Sequence, residues 1–321
     1  MHLQLLDLDG SLVAQHTLRD ALPWDSISTV ALRDLGPRLR LWSSQRSFDA
    51  LRARLDAAHL KSIGAITLLG SGDFHHVAVA IIERAARAMS APFTIVHIDN
   101  HPDWVRLAPR WHCGSWVNRA LQIPQVARLI TLGVCSDDLV RPGWKGGNLG
   151  ALDSGKLVLL PWRHAPSRVG KRIADGAGHR YADGHIVWEN LADGDFNSHL
   201  SKIIEAIATD KVWITIDKDV LPEHEVTSNW DQGEMPLARV LETIRAISAR
   251  KRILGADICG EYAPARHANW FKRIEARMDQ PRRAVTAADA VRAGCSGGRQ
   301  PSARSRHPAR ARPRGCLPQY S

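Results

Sequence analysis

With 321 residues and a hydrophobic fraction of 44%, the chain is long enough to bury the core of one large α/β domain, and no internal repeat divides it. The formal charge of +10 is concentrated at one end: residues 281–321 hold nine Arg and one Asp, a net of +8, which leaves about +2 for everything before them. A basic surface spread over the whole fold, the mark of a dedicated nucleic-acid reader, is excluded. In chain order, apolar runs near 2–8, 65–70, 93–98, 128–134, 156–162, 185–189, 211–216 and 252–258 predict eight strands. Helical periodicity over 76–89, 197–209 and 236–250 falls between several of them. Such alternation predicts a parallel sheet with helices on both faces and ligands gathered at the carboxyl ends of the strands.

The first strand leads into Asp7-Leu8-Asp9-Gly10, which resembles the opening motif of haloacid-dehalogenase-type phosphatases. The downstream Lys and acidic pair of that family have no recognisable place, and a strand followed by a Gly-containing turn is the preferred reading. The strand at 65–69 is followed by Gly70-Ser71-Gly72-Asp73-Phe74-His75-His76, a glycine-eased turn that puts imidazoles at the mouth of the fold. The run Val96-His97-Ile98-Asp99-Asn100-His101-Pro102-Asp103 is the most informative segment. Side chains two apart on an extended chain point the same way, so Asp99, His101 and Asp103 converge, as do Asp217 and Asp219 after Ile214-Thr215-Ile216. Hard and borderline ligands without a thiolate suit Mn²⁺ better than structural zinc.

These three motifs, with their order and intervals, resemble the metal motifs of the ureohydrolases, the arginase and agmatinase family, over roughly residues 60 to 265. The resemblance implies a three-layer α/β/α fold around a mainly parallel, eight-stranded, arginase-like sheet. It also implies two Mn²⁺ per chain and a bridging hydroxide that attacks the carbon of a small guanidino or amidino substrate. Carried over by motif, Asp99 and Asp217 would bridge the ions, His75 and Asp103 would complete one coordination sphere, and His101 and Asp219 the other. His112, in His112-Cys113-Gly114-Ser115, would shuttle protons, and Glu261 would bind the guanidinium.

The chain also departs from the family pattern. Phe74 separates Asp73 from His75, the spacing to Glu261 is one residue longer, and Leu221-Pro222 and Thr227-Ser228-Asn229-Trp230 replace the usual loop after the third motif. Between Asp103 and His112 there are none of the Asn and Ser positions with which arginases hold an amino acid, which makes arginine a doubtful substrate. Trp104, Trp111, Trp116 and Trp230 flank the site segments and could form an aromatic wall, while Arg106 and Arg110 could receive a carboxylate. Two other readings stand beside the hydrolase. One is a deacetylase-like site with a single metal, and the other is a degenerate member that only binds.

The expected organisation is a catalytic domain over 1–278 and a basic, disordered tail over 279–321, able to touch nucleic acid only non-specifically. Five widely spaced cysteines form neither a zinc pattern nor a disulfide framework. With no leader-like amino terminus and no membrane-length apolar stretch, the expectation is a cytoplasmic protein without a membrane partner, possibly a homo-oligomer.

Overall fold

The computed structural model describes residues 2–13, 26–106 and 111–281. Its central sheet consists of β1 (His2–Asp7), β2 (Ile27–Ala31), β3 (Ala65–Gly70), β4 (Phe93–Ile98), β5 (Val126–Leu132), β6 (Leu157–Leu160), β7 (Lys211–Asp217) and β8 (Arg252–Cys259). The strand order is β2-β1-β3-β8-β7-β4-β5-β6, and every pairing is parallel.

Side-chain alternation divides the core into two layers. Ile95, Leu129, Leu159 and Leu254 face one side, where they meet Phe48, Leu51 and Leu55 of α1 (Gln45–Ala57) and the apolar residues of α2 (Ala78–Arg87). Val96, Ile130, Val158 and Ile214 face the other, against Phe196 and Ile203 of α3 (Phe196–Ala206) and Val240 and Ile247 of α4 (Leu237–Arg250). Strands covered on both faces read as continuous apolar runs, and all six residues of β4 are buried. Ser44 caps α1 by accepting from Ser47 N, and Asp195 caps α3 by accepting from Asn197 N and Ser198 N.

The expected three-layer architecture is present, with one exchange among its strands. The predicted strand at 185–189 forms as His185–Trp188, but it pairs antiparallel with Ser167–Arg168 and His179–Ala182 in a separate three-stranded sheet. The eighth place in the central sheet goes to β2, whose sequence Ile-Ser-Thr-Val-Ala is largely exposed at the sheet edge. An edge strand needs little apolar side chain, so periodicity alone did not mark it. Among the described residues no helix is long and apolar enough to cross a membrane.

Two buried cations tie the periphery to the carboxyl edge of the sheet. Arg40, 1% exposed, donates to Asp9 Oδ2 at 3.0 Å and to Asp73, linking the loop after β1 to the turn after β3. Lys272 lies in α5 (Trp270–Asp279), the last helix among the described residues, and is also 1% exposed. Its ammonium donates to the carbonyls of Arg38 and Arg40, each at 2.8 Å, and to that of Trp42. Burial lowers its pKa to about 8. The described chain continues past the helix to Gln280, whose amide donates to Asp73 Oδ1 at 2.6 Å, so residues just beyond the expected boundary at 278 contact the site edge. Of the tail expected over 279–321, residues 282–321 lie outside the described ones.

Removing Arg40 would leave two buried carboxylates without a countercharge. Arg40→Met is expected to cost about 3–5 kcal/mol in urea unfolding, and Arg40→Lys is expected to recover only part of that, because an ammonium lacks the fork that serves both partners.

Candidate metal centre

Because the sheet is parallel, the carboxyl ends of β3, β8, β7 and β4 lie side by side at its centre, and the chain leaves each of them into a polar turn. After β3, a 3₁₀ turn over Gly72–Val77 carries His75 inward. Gly72 is required there, since a Cβ would lie 2.5 Å from Asp217 Oδ2. A chain of hydrogen bonds fixes the His75 ring. Thr215 donates to Asp257 Oδ1 at 2.6 Å, Trp213 Nε1 donates to Asp257 Oδ2 at 2.6 Å, and His75 Nε2 lies 2.9 Å from Thr215 Oγ1. With the Thr215 proton committed to Asp257, this network assigns the proton to His75 Nε2 and leaves a lone pair on Nδ1. That Nδ1 is buried, has no hydrogen-bond partner, and lies 3.1, 3.3 and 3.7 Å from carboxylate oxygens of Asp99, Asp103 and Asp217.

The turn after β4 supplies three candidate ligands in five residues. Asp99 Oδ2 is 2.7 Å from His97 Nε2, whose other nitrogen lies 3.1 Å from Thr131 Oγ1, and Asp99 Oδ1 accepts from His101 N at 2.7 Å. Asp103 adopts a left-handed backbone (φ 47°), which re-aims its carboxylate, and Oδ2 accepts from Trp116 Nε1 at 2.7 Å. After β7, Asp217 accepts from Asp219 N at 3.0 Å. His101 Nδ1 lies 3.2 Å from Asp219 Oδ2 and 3.6 Å from Asp99 Oδ1, and its Nε2 lies 3.0 Å from Asp231 Oδ1. Three groups of donor atoms each fall within 4.8 Å: His75, His97, Asp99 and Asp103; Asp99, His101 and Asp219; and His75, Asp217 and Cys259. Asp99 and His75 each belong to two of them, which makes the three groups one continuous donor cluster.

The electrostatics describe a site short of positive charge. Burial, and then the nearby charge of Asp99, raises the Asp217 carboxyl to about 6. Asp219 is held well above the carboxylate range by burial and by Asp217 and Asp99. Burial opposes charging His75 and His101, yet the surrounding carboxylates hold both well above the ordinary imidazole value. Asp99 is held well below its ordinary value against burial by His97, His101 and His75. A hard divalent cation would replace those protons and satisfy the orphaned His75 nitrogen.

All six ligands expected from the sequence gather here, whereas His76 is buried with neither ring nitrogen partnered and belongs to none of the donor groups. The carboxylates and His101 line a cleft of about 860 Å³, and His112 stands in its wall. Glu261 does not reach that lining; its carboxylate pairs with Lys218, and its amide donates to the Gly70 carbonyl at 3.0 Å. Of the four tryptophans, only Trp230 lines the cleft, donating to Asp73 Oδ1 at 2.9 Å. Trp104 and Trp116 are core residues, and Trp111 stacks on Phe48 at 3.7 Å. Arg106 is exposed, and Arg110 lies outside the described residues. Asp7 is bound by Arg33 at 2.6 Å and Asp9 by Arg40, so the phosphatase-like aspartates serve as ion-pair partners.

The sequence reading gave no site role to His97, Asp231, Asp257 or Cys259. His97 and Thr215 sit two residues before Asp99 and Asp217, and the alternation that selected the ligands also selects these supports. Cys259, whose thiol donates to Asp217 Oδ2 at 3.1 Å, and Asp231 come from other segments and carry no local signal.

The family model described as "Arginase family" matches residues 11–278. An uncharacterised protein of Thermotoga maritima is 28% identical over 199 residues, 62% of this chain and 59% of that protein, so the match spans less than two thirds of the relative. Among solved structures, proclavaminate amidino hydrolase from Streptomyces clavuligerus superposes with a TM-score of 0.53 at 13% identity, covering 92% of this chain and 89% of that one. An arginase from Entamoeba histolytica in complex with L-ornithine gives 0.54 at 12% identity, covering 82% and 91%. An arginase from Bacillus cereus gives 0.53 at 12% identity, covering 93% and 99%. At these identities the structures establish a shared fold, and the family match over most of the chain establishes descent: the protein belongs to the arginase family.

Proposed function

We propose that the protein is a ureohydrolase-type enzyme that holds two Mn²⁺ ions and hydrolyses a carbon–nitrogen bond in a small guanidino or amidino compound. The observation that carries this reading is His75 Nδ1, buried, without a hydrogen-bond partner, and facing carboxylate oxygens of Asp99, Asp103 and Asp217 at 3.1, 3.3 and 3.7 Å. His75, Asp99, Asp103 and Asp217 would hold one ion, and Asp99, His101, Asp217 and Asp219 the other. Bound there, divalent cations supply the acidity that makes hydroxide available near neutral pH. The remaining work falls to the protein. His97 fixes Asp99, the Thr215–Asp257 pair fixes His75, and Asp231 fixes His101, so the ligands are pre-set rather than gathered on binding. His112, in the cleft wall, is the proton carrier to the departing nitrogen.

The lining also restricts the substrate. Among the described residues it carries Asp137, Asp138, Asp231 and Asp279 around the rim, and its one lysine, Lys145, is paired with Asp138 at 3.4 Å. A carboxylate-bearing substrate meets repulsion there, whereas a planar cation is attracted, which argues against arginine and for a guanidino or amidino group on a neutral or cationic body. With Glu261 engaged by Lys218, orienting that cation falls to the cleft carboxylates.

Metal analysis of the purified protein is expected to find close to two Mn²⁺ per chain, and Asp99→Ala to lose both. One tightly held ion surviving in that variant would remove the dinuclear arrangement. In a Mn²⁺-loaded screen of guanidino and amidino compounds, with urea and amine release both followed, Asp103→Asn is expected to lower turnover by at least about 10²-fold. Asp7→Asn should leave it intact, and the reverse order together with phosphate-ester cleavage would favour a phosphatase.

The metal-free protein should lose stability as pH rises. His75 and His101 bind protons more tightly folded than unfolded, so their contribution is complete below about 6.5 and disappears as each deprotonates above it. Asp217, raised to about 6, acts in the same direction between about 4 and 6. In EDTA the melting temperature is therefore expected to fall from pH 6 to pH 9, Mn²⁺ to cancel most of the fall, and Asp217→Asn to raise the metal-free value at pH 8. A flat profile in EDTA would show that the carboxylate cluster carries no excess negative charge.

A further inference from the structure

His112 is held on both ring nitrogens. Gly114 N donates to Nδ1 at 2.9 Å, and Nε2 lies 2.8 Å from Glu275 Oε1, on the last helix of the described chain, 163 positions away. A backbone amide can only donate, so Nδ1 is an acceptor and the ring proton resides on Nε2, directed at Glu275. The carboxylate is itself fixed, because Trp42 Nε1 donates to Glu275 Oε2 at 2.6 Å. Three residues earlier, Lys272 anchors the same helix to the carbonyls of residues 38–42. Gly114 lies between the ring and the donor cluster: a Cβ built on it would lie 3.4 Å from His112 Nδ1 and 4.0 Å from Asp103 Oδ1, and His112 itself lines the cleft.

Building on the hydrolase reading, we propose that Glu275 is a positioning residue that makes His112 and itself a carboxylate–imidazole dyad, with Nδ1 as the nitrogen that gains and gives up the travelling proton. When Nδ1 takes a proton, the Gly114 amide gives way, and the positive charge on the ring is matched by Glu275 across the Nε2–H bond. When that proton passes to the departing nitrogen, the ring returns to its starting tautomer. Glu275 does not touch the substrate. It selects the tautomer and stabilises the charged ring, the role a carboxylate plays behind a catalytic imidazole elsewhere. The position of Glu275 explains why the last helix is pinned so firmly: a shift of α5 by one residue would remove the carboxylate.

The test has two readouts. In the full-length ¹⁵N-histidine-labelled protein, kept diamagnetic with Mg²⁺, long-range ¹H–¹⁵N correlations are expected to show His112 as a single Nε2–H tautomer, with His112→Asn supplying the assignment. A resident Nδ1–H tautomer overturns the proposal without any activity being measured. On whichever guanidino or amidino compound is hydrolysed, Glu275→Ala is expected to lower kcat by about 10²-fold with KM within about twofold, and Glu275→Gln, which keeps an acceptor but no charge, by about tenfold. Adding Glu275→Ala to His112→Asn should cost nothing further. An unchanged kcat in both Glu275 variants, or losses that multiply in the double variant, would reduce Glu275 to a structural contact. If no compound in the screen is hydrolysed, the hydrolase reading fails while the tautomer still decides the dyad.

Discussion

Four carboxylates buried within a few ångströms of one another are the constraint to which the rest of the structure answers. Asp99, Asp103, Asp217 and Asp219 are each no more than 7% exposed, and in water alone such a cluster would neutralise itself or come apart. Each is instead held by donors from the fold: the indole of Trp116, the ring of His97, the thiol of Cys259 and backbone amides. These bonds fix direction without supplying a full positive charge. The two histidines of the cluster take up protons to fill that gap, which is how a cation site behaves when its occupant is a proton.

The next layer outward has the same character. Asp73, fully buried, receives Arg40, Trp230 and Gln280 from three distant segments, and a single carboxylate thereby gathers the segment after β2, the loop after β7 and the end of α5 around the cleft. Lys272 does the converse, one ammonium collecting the carbonyls at the end of a short helical turn. Such pairs add little net stability compared with well-packed apolar residues, but they are intolerant of the loss of one partner, and that fixes the geometry of the wall.

Much of this could be read from the sequence, and the reason is local periodicity. The candidate ligands at 99, 101 and 103 and at 217 and 219 announce themselves because two-residue alternation at a strand end is a short-range signal. Strands β3 to β8 are buried on both faces and read as apolar runs, whereas β2, exposed at the sheet edge, does not. His185–Trp188 looked like a central strand because its composition is the same, although its partners lie in a small antiparallel sheet. The helix over 270–279 escaped notice because its inward face carries Lys272 and Glu275, polar residues whose partners lie more than 160 positions away. Glu261, expected in the cleft from the family resemblance although its spacing is one residue longer, is engaged by the side chain of Lys218 and does not line the cleft.

The order of the central sheet has a consequence for how the molecule comes into being. The strand between β3 and β7 is β8, the last of the eight to be synthesised. Until it emerges, the amino-terminal strands that carry His75 and the later strands that carry Asp99 and Asp217 have no shared neighbour, and the two halves of the donor set belong to separate pieces of sheet. A nascent chain that stops short of residue 259 therefore cannot assemble the centre, however long it waits on the ribosome. Closure of the sheet by such a late, long-range insertion is intrinsically slow, and the donor cluster comes together only once the chain has passed β8.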